Sequence, residues 1–249
     1  FYKNTEVNVT MNYVFGLNAY FDHINGIKYH IHNSNINKCK ISSKTTSFKE
    51  AYFAPLHDKD KCVKNDYSLK SNILITGPNA AGKTTILKTT LFNVILSQQI
   101  GFGFYKSAKI TPFKYIHCYL NIPDTSGRDS LFQAEARRCK EIMEMITSSK
   151  STEKHFCIFD EIYSGTNPYE AMASAHSYLD YLSKYRNVSF LITTHYIELC
   201  KKIQKSSLNI KNMHMKINNK NDLFEYAYIL RPGISEVKGG IKGLKDLGY

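Results

Sequence analysis

Between Thr76 and Thr85 the sequence reads TGPNAAGKTT. This segment matches the pattern G-x-x-x-x-G-K-[ST], in which glycines allow backbone N–H groups to surround phosphate oxygens. An apolar run, NILIT at Asn72–Thr76, precedes it, and a helical pattern of apolar residues follows from Ile86. A strand before the loop and a helix after it are the context that the motif requires. The sequence therefore predicts a loop that binds nucleotide phosphates.

Each part of the loop has an expected role. Lys83 is expected to reach the β- and γ-phosphates of ATP, and the Thr84 hydroxyl is expected to ligate Mg²⁺. The N-terminus of the following helix adds positive potential, which attracts anions. The predicted phosphate-binding residues are Gly77, Pro78, Asn79, Ala80, Ala81, Gly82, Lys83, Thr84 and Thr85.

Two carboxylates follow a second apolar run. HFCIF at His155–Phe159 leads directly into Asp160 and Glu161. If the run is a strand of a parallel sheet, these carboxylates lie at the same edge as the phosphate loop. We expect Asp160 to hold Mg²⁺, and Glu161 to orient and deprotonate the attacking water. By itself a strand that ends in acidic residues is common, so this interpretation depends on the phosphate loop.

Two weaker patterns could complete the site. The run VSFLIT at Val188–Thr193 is followed by His195, which at a strand end could sense the γ-phosphate or position water. The sequence TSGRDS at Thr125–Ser130 precedes a helical pattern and offers hydroxyl and backbone donors to an anion. The first loop already serves one nucleotide, so this second turn could complete the site of a neighbouring subunit. A surface histidine and an ordinary helix start remain the alternatives.

The apolar runs alternate with helical patterns, which is typical of a mainly parallel sheet with helices on its faces. Two alternating segments near the C-terminus, 208–217 and 224–230, predict an antiparallel hairpin around the turn Asn218–Asn221. Near the N-terminus, apolar residues from Val9 to Ile24 predict an amphipathic helix that stops at Gly26. Residues 27–48 are expected to form a connector or weak edge strands. The predicted strands are Asn72–Thr76, Tyr115–Leu120, His155–Phe159 and Val188–Thr193.

Composition limits the class of protein. The chain has 249 residues, of which 43% are hydrophobic and 22% charged, so it can bury a substantial core. Its six cysteines lie too far apart for a zinc or thiol-exchange motif, and we expect them to be reduced. No apolar run reaches the roughly 18 residues of a membrane span, and an intracellular protein without a membrane partner is expected. The net charge of +12 suits a polyanionic partner, or reflects a Lys-rich composition.

The order of the four motifs, TGPNAAGKTT, TSGRDS, FCIFDEIYSGTNP and ITTHYIEL, resembles the ATPase domain of the MutS family of DNA mismatch-repair proteins, within the ABC-type ATPase superfamily. The resemblance implies an α/β fold, a P-loop NTPase of ABC type, with a mainly parallel sheet, helices on both faces and flanking antiparallel strands. It covers residues 51–249, whereas residues 1–50 would be the end of a lever helix and a connector. The LSGGQ-like signature of ABC transporter subunits does not occur in the sequence.

The resemblance also implies roles for residues of the reaction. Asn79 would help to hold the γ-phosphate, and Lys83 would contact the phosphates. Asp160 would bind the metal, Glu161 would be the catalytic base, and His195 would be the switch histidine.

Other implied roles concern the dimer and the base. Ser126 and Gly127 would reach the nucleotide of the partner subunit, and residues 165–167 would communicate between the two sites. Tyr52 and Phe53 occupy the place of an aromatic or apolar pair that stacks on adenine, and Tyr228 matches a residue that flanks the base.

The resemblance implies an Mg²⁺-dependent ATPase that acts as a homo- or heterodimer, coupled to double-stranded DNA bound by other parts of the protein. One alternative is another ABC-type ATPase of DNA repair or chromosome maintenance. A second is a nucleotide-gated dimerisation module with little hydrolysis. A third is a purely structural, basic DNA-binding domain.

Overall fold

The computed structural model describes residues 5–57, 62–120, 130–220 and 223–235. The helices are α1 (Thr5–His32), α2 (Lys83–Ile100), α3 (Leu131–Ser148), α4 (Pro168–Ser183) and α5 (Ile197–Lys205), with a short 3-10 helix at Ala54–Leu56. The strands are β1 (Asn37–Ile41), β2 (Ser47–Ala51), β3 (Asn65–Ser68), β4 (Asn72–Thr76), β5 (Phe102–Gly103), β6 (Ser107–Ile110), β7 (Tyr115–Tyr119), β8 (His155–Asp160), β9 (Val188–Thr194), β10 (Ile210–Lys220) and β11 (Leu223–Pro232).

The larger sheet has the strand order β11-β10-β4-β9-β8-β7. Strands β10, β4, β9, β8 and β7 run parallel to their neighbours, and β11 pairs with β10 in the antiparallel direction. The predicted mixed α/β class is thus confirmed, with the parallel order that the apolar runs indicated. The carboxyl ends of β4, β8 and β9 lie side by side, which brings the segments after Thr76, Asp160 and Thr194 to one edge of the sheet.

Helices cover both faces of this sheet. Ile73 and Ile75 of β4 pack in one buried cluster with Leu87 and Val94 of α2. Leu74, which points the opposite way along the strand, belongs to a second cluster formed with α3, α4 and α5. Fully buried apolar positions on both sides explain why these strands read as near-continuous apolar runs.

A smaller sheet, with the order β3-β2-β6-β1-β5, lies on the other side of α2. Its inward side chains, among them Phe48, Tyr67 and Ala108, share the buried cluster of α2. The expectation of a connector or weak edge strands over residues 27–48 is therefore corrected, because β1 and β2 are members of a sheet of their own. The division proposed between residues 50 and 51 falls inside β2, and that division remains a prediction.

Two further local expectations need correction, and one helix is missing from the sequence-based prediction. Helix α1 does not stop at Gly26 but continues to His32, because a glycine in a helix costs only about 1 kcal/mol relative to alanine. Strand β10 continues to Lys220, so residues 218–220 belong to the strand and not to the turn. Helix α5 was not predicted, although its buried Leu199, Cys200 and Ile203 follow helical spacing.

Other predictions agree with the structure. Asn167 caps α4 by accepting hydrogen bonds from the backbone N–H groups of Tyr169 and Glu170, and Pro168 occupies the first turn. The six cysteines are free. None of the helices in the described ranges combines the length and the apolar character needed to cross a lipid bilayer.

Candidate active site

The loop after β4 turns directly into α2. Gly82 is the N-cap of α2 and has φ of 94°, a conformation that favours glycine. A Cβ atom at Gly82 would lie 3.1 Å from the ring of Tyr228, so the position is also sterically tight. No side chain caps the first turn of α2, which leaves its N–H groups directed toward the loop. This arrangement can bind an anion through the helix N-terminus.

Lys83 lies inside the loop. Its side chain is 4% exposed, and Nζ donates hydrogen bonds to the carbonyl oxygens of Gly77 (2.9 Å) and Pro78 (3.1 Å). Nζ also lies 3.3 Å from Oε1 of Glu161. Burial lowers the pKa of the Lys83 ammonium, and the Glu161 carboxylate opposes part of that shift. The loop thus holds a largely desolvated cation that could exchange its carbonyl partners for phosphate oxygens.

Asp160 and Thr84 meet at the edge of the sheet. Oγ1 of Thr84 donates a hydrogen bond to Oδ2 of Asp160 at 2.7 Å, although 76 residues separate them in sequence. Both residues line a polar cavity of about 370 Å³ together with Asn79 and Glu161. Hydroxyl and carboxylate oxygens are ligands that Mg²⁺ accepts, and Mg²⁺ commonly uses one or two carboxylates together with water and phosphate oxygens. The two side chains therefore fit a magnesium ion.

Glu161 is held in a defined position beside this pair. Its Oε1 lies 2.7 Å from Nε2 of His195 and 3.3 Å from Nζ of Lys83. Burial alone would raise the pKa of Glu161, but the contacts with His195 and Lys83 outweigh it and bring the pKa below its ordinary value. The carboxylate is consequently deprotonated at neutral pH, as a general base must be.

Thr193 connects the two carboxylate residues. Its Oγ1 donates a hydrogen bond to Oδ1 of Asp160 (2.6 Å) and accepts one from the backbone N–H of Glu161 (3.1 Å). Glu161 has a φ of 51°, which is uncommon for a residue other than glycine. Sequence analysis assigned no role to Thr193. Its position could have been inferred from a parallel pairing of β8 and β9, which places Thr193 opposite Asp160.

An apolar cavity of about 270 Å³ adjoins the loop on its other side. Phe53 and Tyr228 line it, together with Gly82 and Thr85 of the loop and helix. Gly82, the N-cap of α2, therefore borders both the loop and this cavity. The remaining lining residues are Ala51, Leu56, Cys62, Val63, Asn65, Ile86, Thr89 and Met215.

Tyr52 is not among the residues that line this cavity. Its hydroxyl donates a hydrogen bond to the carbonyl oxygen of Asn35, and its ring packs edge-on against Phe104 with 5.7 Å between centroids. Tyr52 and Phe53 are consecutive in an extended segment, so their side chains point in different directions. The structure thus places Phe53, and not Tyr52, in the apolar cavity, and a contact of either residue with a base stays a prediction.

The remaining predicted residues fall into two groups. Gly77, Pro78 and Ala81 are buried within the loop, whereas Asn79 and Ala80 are exposed. Ser126 and Gly127 lie outside the described residues, as does most of the TSGRDS segment. Its last residue, Ser130, caps α3 by accepting a hydrogen bond from the backbone N–H of Gln133.

Sequence analysis missed a second group of polar residues near Glu161. Glu135 and Ser164 line the polar cavity with Tyr119, and Glu135 accepts hydrogen bonds from the loop that follows Glu161. A single glutamate within an amphipathic helix carries no signal that distinguishes it from a solvated one. Only the packing of α3 against this loop identifies it.

Comparisons with known proteins identify the family of the chain. The sequence model of the family MutS domain V matches residues 73–247. The chain is 28% identical over 213 residues, 84% of its length, to the DNA mismatch repair protein MutS of Prochlorococcus marinus (strain AS9601). It is 29% identical over 201 residues, 78% of its length, to the protein of that name in Chlamydia abortus (strain DSM 27085 / S26/3).

The match covers only part of these relatives. It spans 23% of the Prochlorococcus protein and 24% of the Chlamydia protein. A third relative, the DNA mismatch repair protein MutS of Lactobacillus delbrueckii subsp. bulgaricus (strain ATCC BAA-365 / Lb-18), is 30% identical over 177 residues, which are 70% of this chain and 20% of that protein. Because the family match extends over most of the chain and includes the loop, both carboxylates and His195, the chain belongs to the MutS family, with residues 73–247 corresponding to domain V.

Proposed function

We propose that this chain is the Mg²⁺-dependent ATP-binding and ATP-hydrolysing domain of a MutS-like DNA mismatch repair protein, with the P-loop fold of ABC-type ATPases. One observation carries the proposal. Lys83, Thr84, Asp160 and Glu161, which come from two distant segments, are linked by contacts of 2.7 Å and 3.3 Å at one edge of the parallel sheet. That edge is where ligands of open α/β sheets bind.

The loop and α2 would bind the triphosphate. Lys83 would release the carbonyl oxygens of Gly77 and Pro78 and donate to phosphate oxygens instead, which are stronger acceptors for a cation. The N–H groups of the first turn of α2 would contribute further donors. Phe53 and Tyr228 would contact the adenine in the apolar cavity, where an aromatic side chain can stack on the base.

Thr84 and Asp160 would hold Mg²⁺, which when bound neutralises negative charge on the phosphates. Glu161 would orient a water molecule and accept its proton. His195 would hold the Glu161 carboxylate in place through their 2.7 Å contact. Thr193 would keep the Asp160 side chain and the Glu161 backbone in register through its two hydrogen bonds.

The proposal includes assembly and location. A homo- or heterodimer would place Ser126 and Gly127 of one subunit against the nucleotide of the other, which makes each nucleotide site composite. Double-stranded DNA would be bound by other parts of the protein, and no membrane partner is proposed. A mismatch-repair role places the protein inside the cell, in the cytoplasm, the nucleus or another compartment that contains DNA.

ATP turnover by Glu161→Gln tests the proposal. We expect hydrolysis to fall at least ~10²-fold, the lower end of a general-base contribution, while the affinity for an ATP analogue is retained. Glu144→Gln is the matched control, because the Glu144 side chain is exposed on α3, where it forms an ion pair with Lys140. Equal turnover by Glu161→Gln and the wild type would remove Glu161 from its role.

The same assay separates the main alternative, a nucleotide-gated dimerisation module. Such a module would bind and exchange ATP without measurable hydrolysis in the wild type. The hydrogen-bonded Glu161–His195 pair favours hydrolysis, because a binding module has no need for an oriented carboxylate at this position. Family membership favours a mismatch-repair protein over a chromosome-maintenance ATPase.

A further inference from the structure

Glu135 of α3 is a buried carboxylate whose partners lie on the loop after Glu161. Only 2% of the surface of this residue is exposed. Oε1 accepts hydrogen bonds from the backbone N–H of Ser164 (3.0 Å) and from its hydroxyl (2.9 Å), and Oε2 accepts one from the backbone N–H of Gly165 (3.0 Å). Both carboxylate oxygens are therefore used by two consecutive residues of one loop. A buried carboxylate needs such donors, because its transfer from water is costly.

The same loop is also pressed against the beginning of α3. A Cβ atom at Gly165 would lie 2.7 Å from the backbone nitrogen of Phe132 and 2.8 Å from Cβ of Leu131. Real Cβ atoms do not approach so closely, so the loop can lie here only because residue 165 is glycine. Two independent contacts, one polar and one steric, thus fix the loop to α3.

The loop so fixed carries strain next to the predicted catalytic base. Glu161 and Tyr163 have φ values of 51° and 60°, and such conformations persist only where the surroundings enforce them. Thr193 holds the first residue of the loop through the Glu161 N–H. Glu135 holds the loop three and four residues further on. The two anchors bracket the strained backbone, so the position of the Glu161 side chain depends on both.

We propose that Glu135 is a positioning residue that makes the placement of Glu161 depend on the position of α3. This inference rests on the proposed function, since it concerns the same catalytic base. A change in the position of α3 is transmitted by Glu135 to Ser164 and Gly165, and through this loop to Glu161.

Glu135→Gln tests the inference with little change of shape. A glutamine has one acceptor oxygen and an NH₂ group that cannot accept, so it cannot replace both Oε1 and Oε2 as acceptors for Ser164 and Gly165. We expect kcat for ATP to fall about 10- to 100-fold, as for a small misplacement of a reacting group, with the affinity for an ATP analogue unchanged. A purely structural role would lower the fraction of folded protein without changing kcat per nucleotide-binding site. Glu141→Gln is the matched control on the same helix, since Glu141 is exposed and pairs with Arg138.

Amide hydrogen exchange supplies a readout that does not depend on turnover. In Glu135→Gln, exchange of the Ser164 or the Gly165 amide is expected to be at least about 10-fold faster, because the single acceptor oxygen of glutamine leaves one of the two without its acceptor. Ser164→Ala, which removes one of the three hydrogen bonds, is expected to lower kcat by a smaller factor. It carries the test if Glu135→Gln does not fold.

The outcomes distinguish this inference from the proposed function. If Glu161→Gln is inactive, wild-type kcat together with wild-type exchange in Glu135→Gln overturns the role of Glu135. If Glu135→Gln does not fold, wild-type kcat in Ser164→Ala overturns it instead. Retained turnover in Glu161→Gln overturns the proposed function and this inference with it. Faster exchange with an unchanged kcat also contradicts the inference, because the contact would then stabilise the loop without positioning the base.

Discussion

Replacing Thr193 by valine exchanges one hydroxyl for a methyl group of similar size. The side chain is fully buried, and valine keeps its branched shape, so no cavity is expected. The variant loses the donor to Asp160 and the acceptor for the Glu161 N–H. Hydrogen bonds to charged groups contribute about 1.5–3 kcal/mol, and a buried N–H left without an acceptor costs about 1–3 kcal/mol. Because Asp160 keeps the hydrogen bond from Thr84, we expect a net loss of about 2–4 kcal/mol in the free energy of unfolding.

Equilibrium unfolding in urea at pH 7 measures this loss, provided that the slope of the free energy against denaturant is unchanged. Thr194→Val is the matched control on the same strand. Thr194 accepts a single hydrogen bond, from the backbone N–H of Tyr196, so its loss is expected to be about 1 kcal/mol. ATP turnover by Thr193→Val should also fall about 10- to 100-fold, because Glu161 is no longer held. A destabilisation no greater than that of Thr194→Val, with normal turnover, would refute the bridging role of Thr193.

Three further predictions concern nucleotide binding and pH. Lys83→Met is expected to weaken ATP binding about 10- to 100-fold in equilibrium titrations, because a charge-assisted contact with the phosphates is lost; unchanged affinity would contradict this. Phe53→Leu should weaken ATP binding about 2- to 10-fold through the loss of an aromatic contact, whereas Tyr52→Phe should leave it unchanged, and equal effects of the two would contradict the assignment of the cavity. The pKa of Glu161 lies below its ordinary value of 4.5. The deprotonated base, and the stability that its contacts contribute, are therefore fully present above pH 4.5 and are lost as the pH falls through the lowered pKa. His195→Ala should raise this pKa and move the acid limb of the turnover profile to higher pH, and an unmoved limb would exclude His195 as a cause.

The larger sheet could be predicted because each of its central strands is an apolar run between clear turn signals. β4 has the predicted bounds, and β7, β8 and β9 differ from prediction by one residue at their C-terminal ends. Burial on both faces imposes this pattern regardless of neighbours. The smaller sheet carries lysines and serines at alternate positions, so its strands read as polar connectors. Its strand order joins segments far apart in sequence, which no local pattern encodes.

The same distinction applies to the site. Lys83, Thr84, Asp160 and Glu161 belong to motifs whose residue types and spacing indicate their chemistry. Thr193 and Glu135 act through contacts that exist only once β8, β9 and α3 have packed, and a buried glutamate looks like a solvated one in the sequence. Which of Tyr52 and Phe53 lines the apolar cavity depends on the direction in which each side chain points from an extended segment. The sequence, which is rich in aromatic residues, does not indicate that direction.

We expect a triphosphate to bind in the loop after β4, where Asp160 holds its Mg²⁺ and Glu161 orients the attacking water. A crystal structure of the protein with Mg²⁺ and a non-hydrolysable ATP analogue tests it most directly. The account predicts phosphate oxygens within hydrogen-bond distance of Lys83 Nζ and the first turn of α2, and Mg²⁺ beside Thr84 and Asp160. An analogue bound elsewhere, or Lys83 still donating to Gly77 and Pro78 with a nucleotide bound, would contradict it.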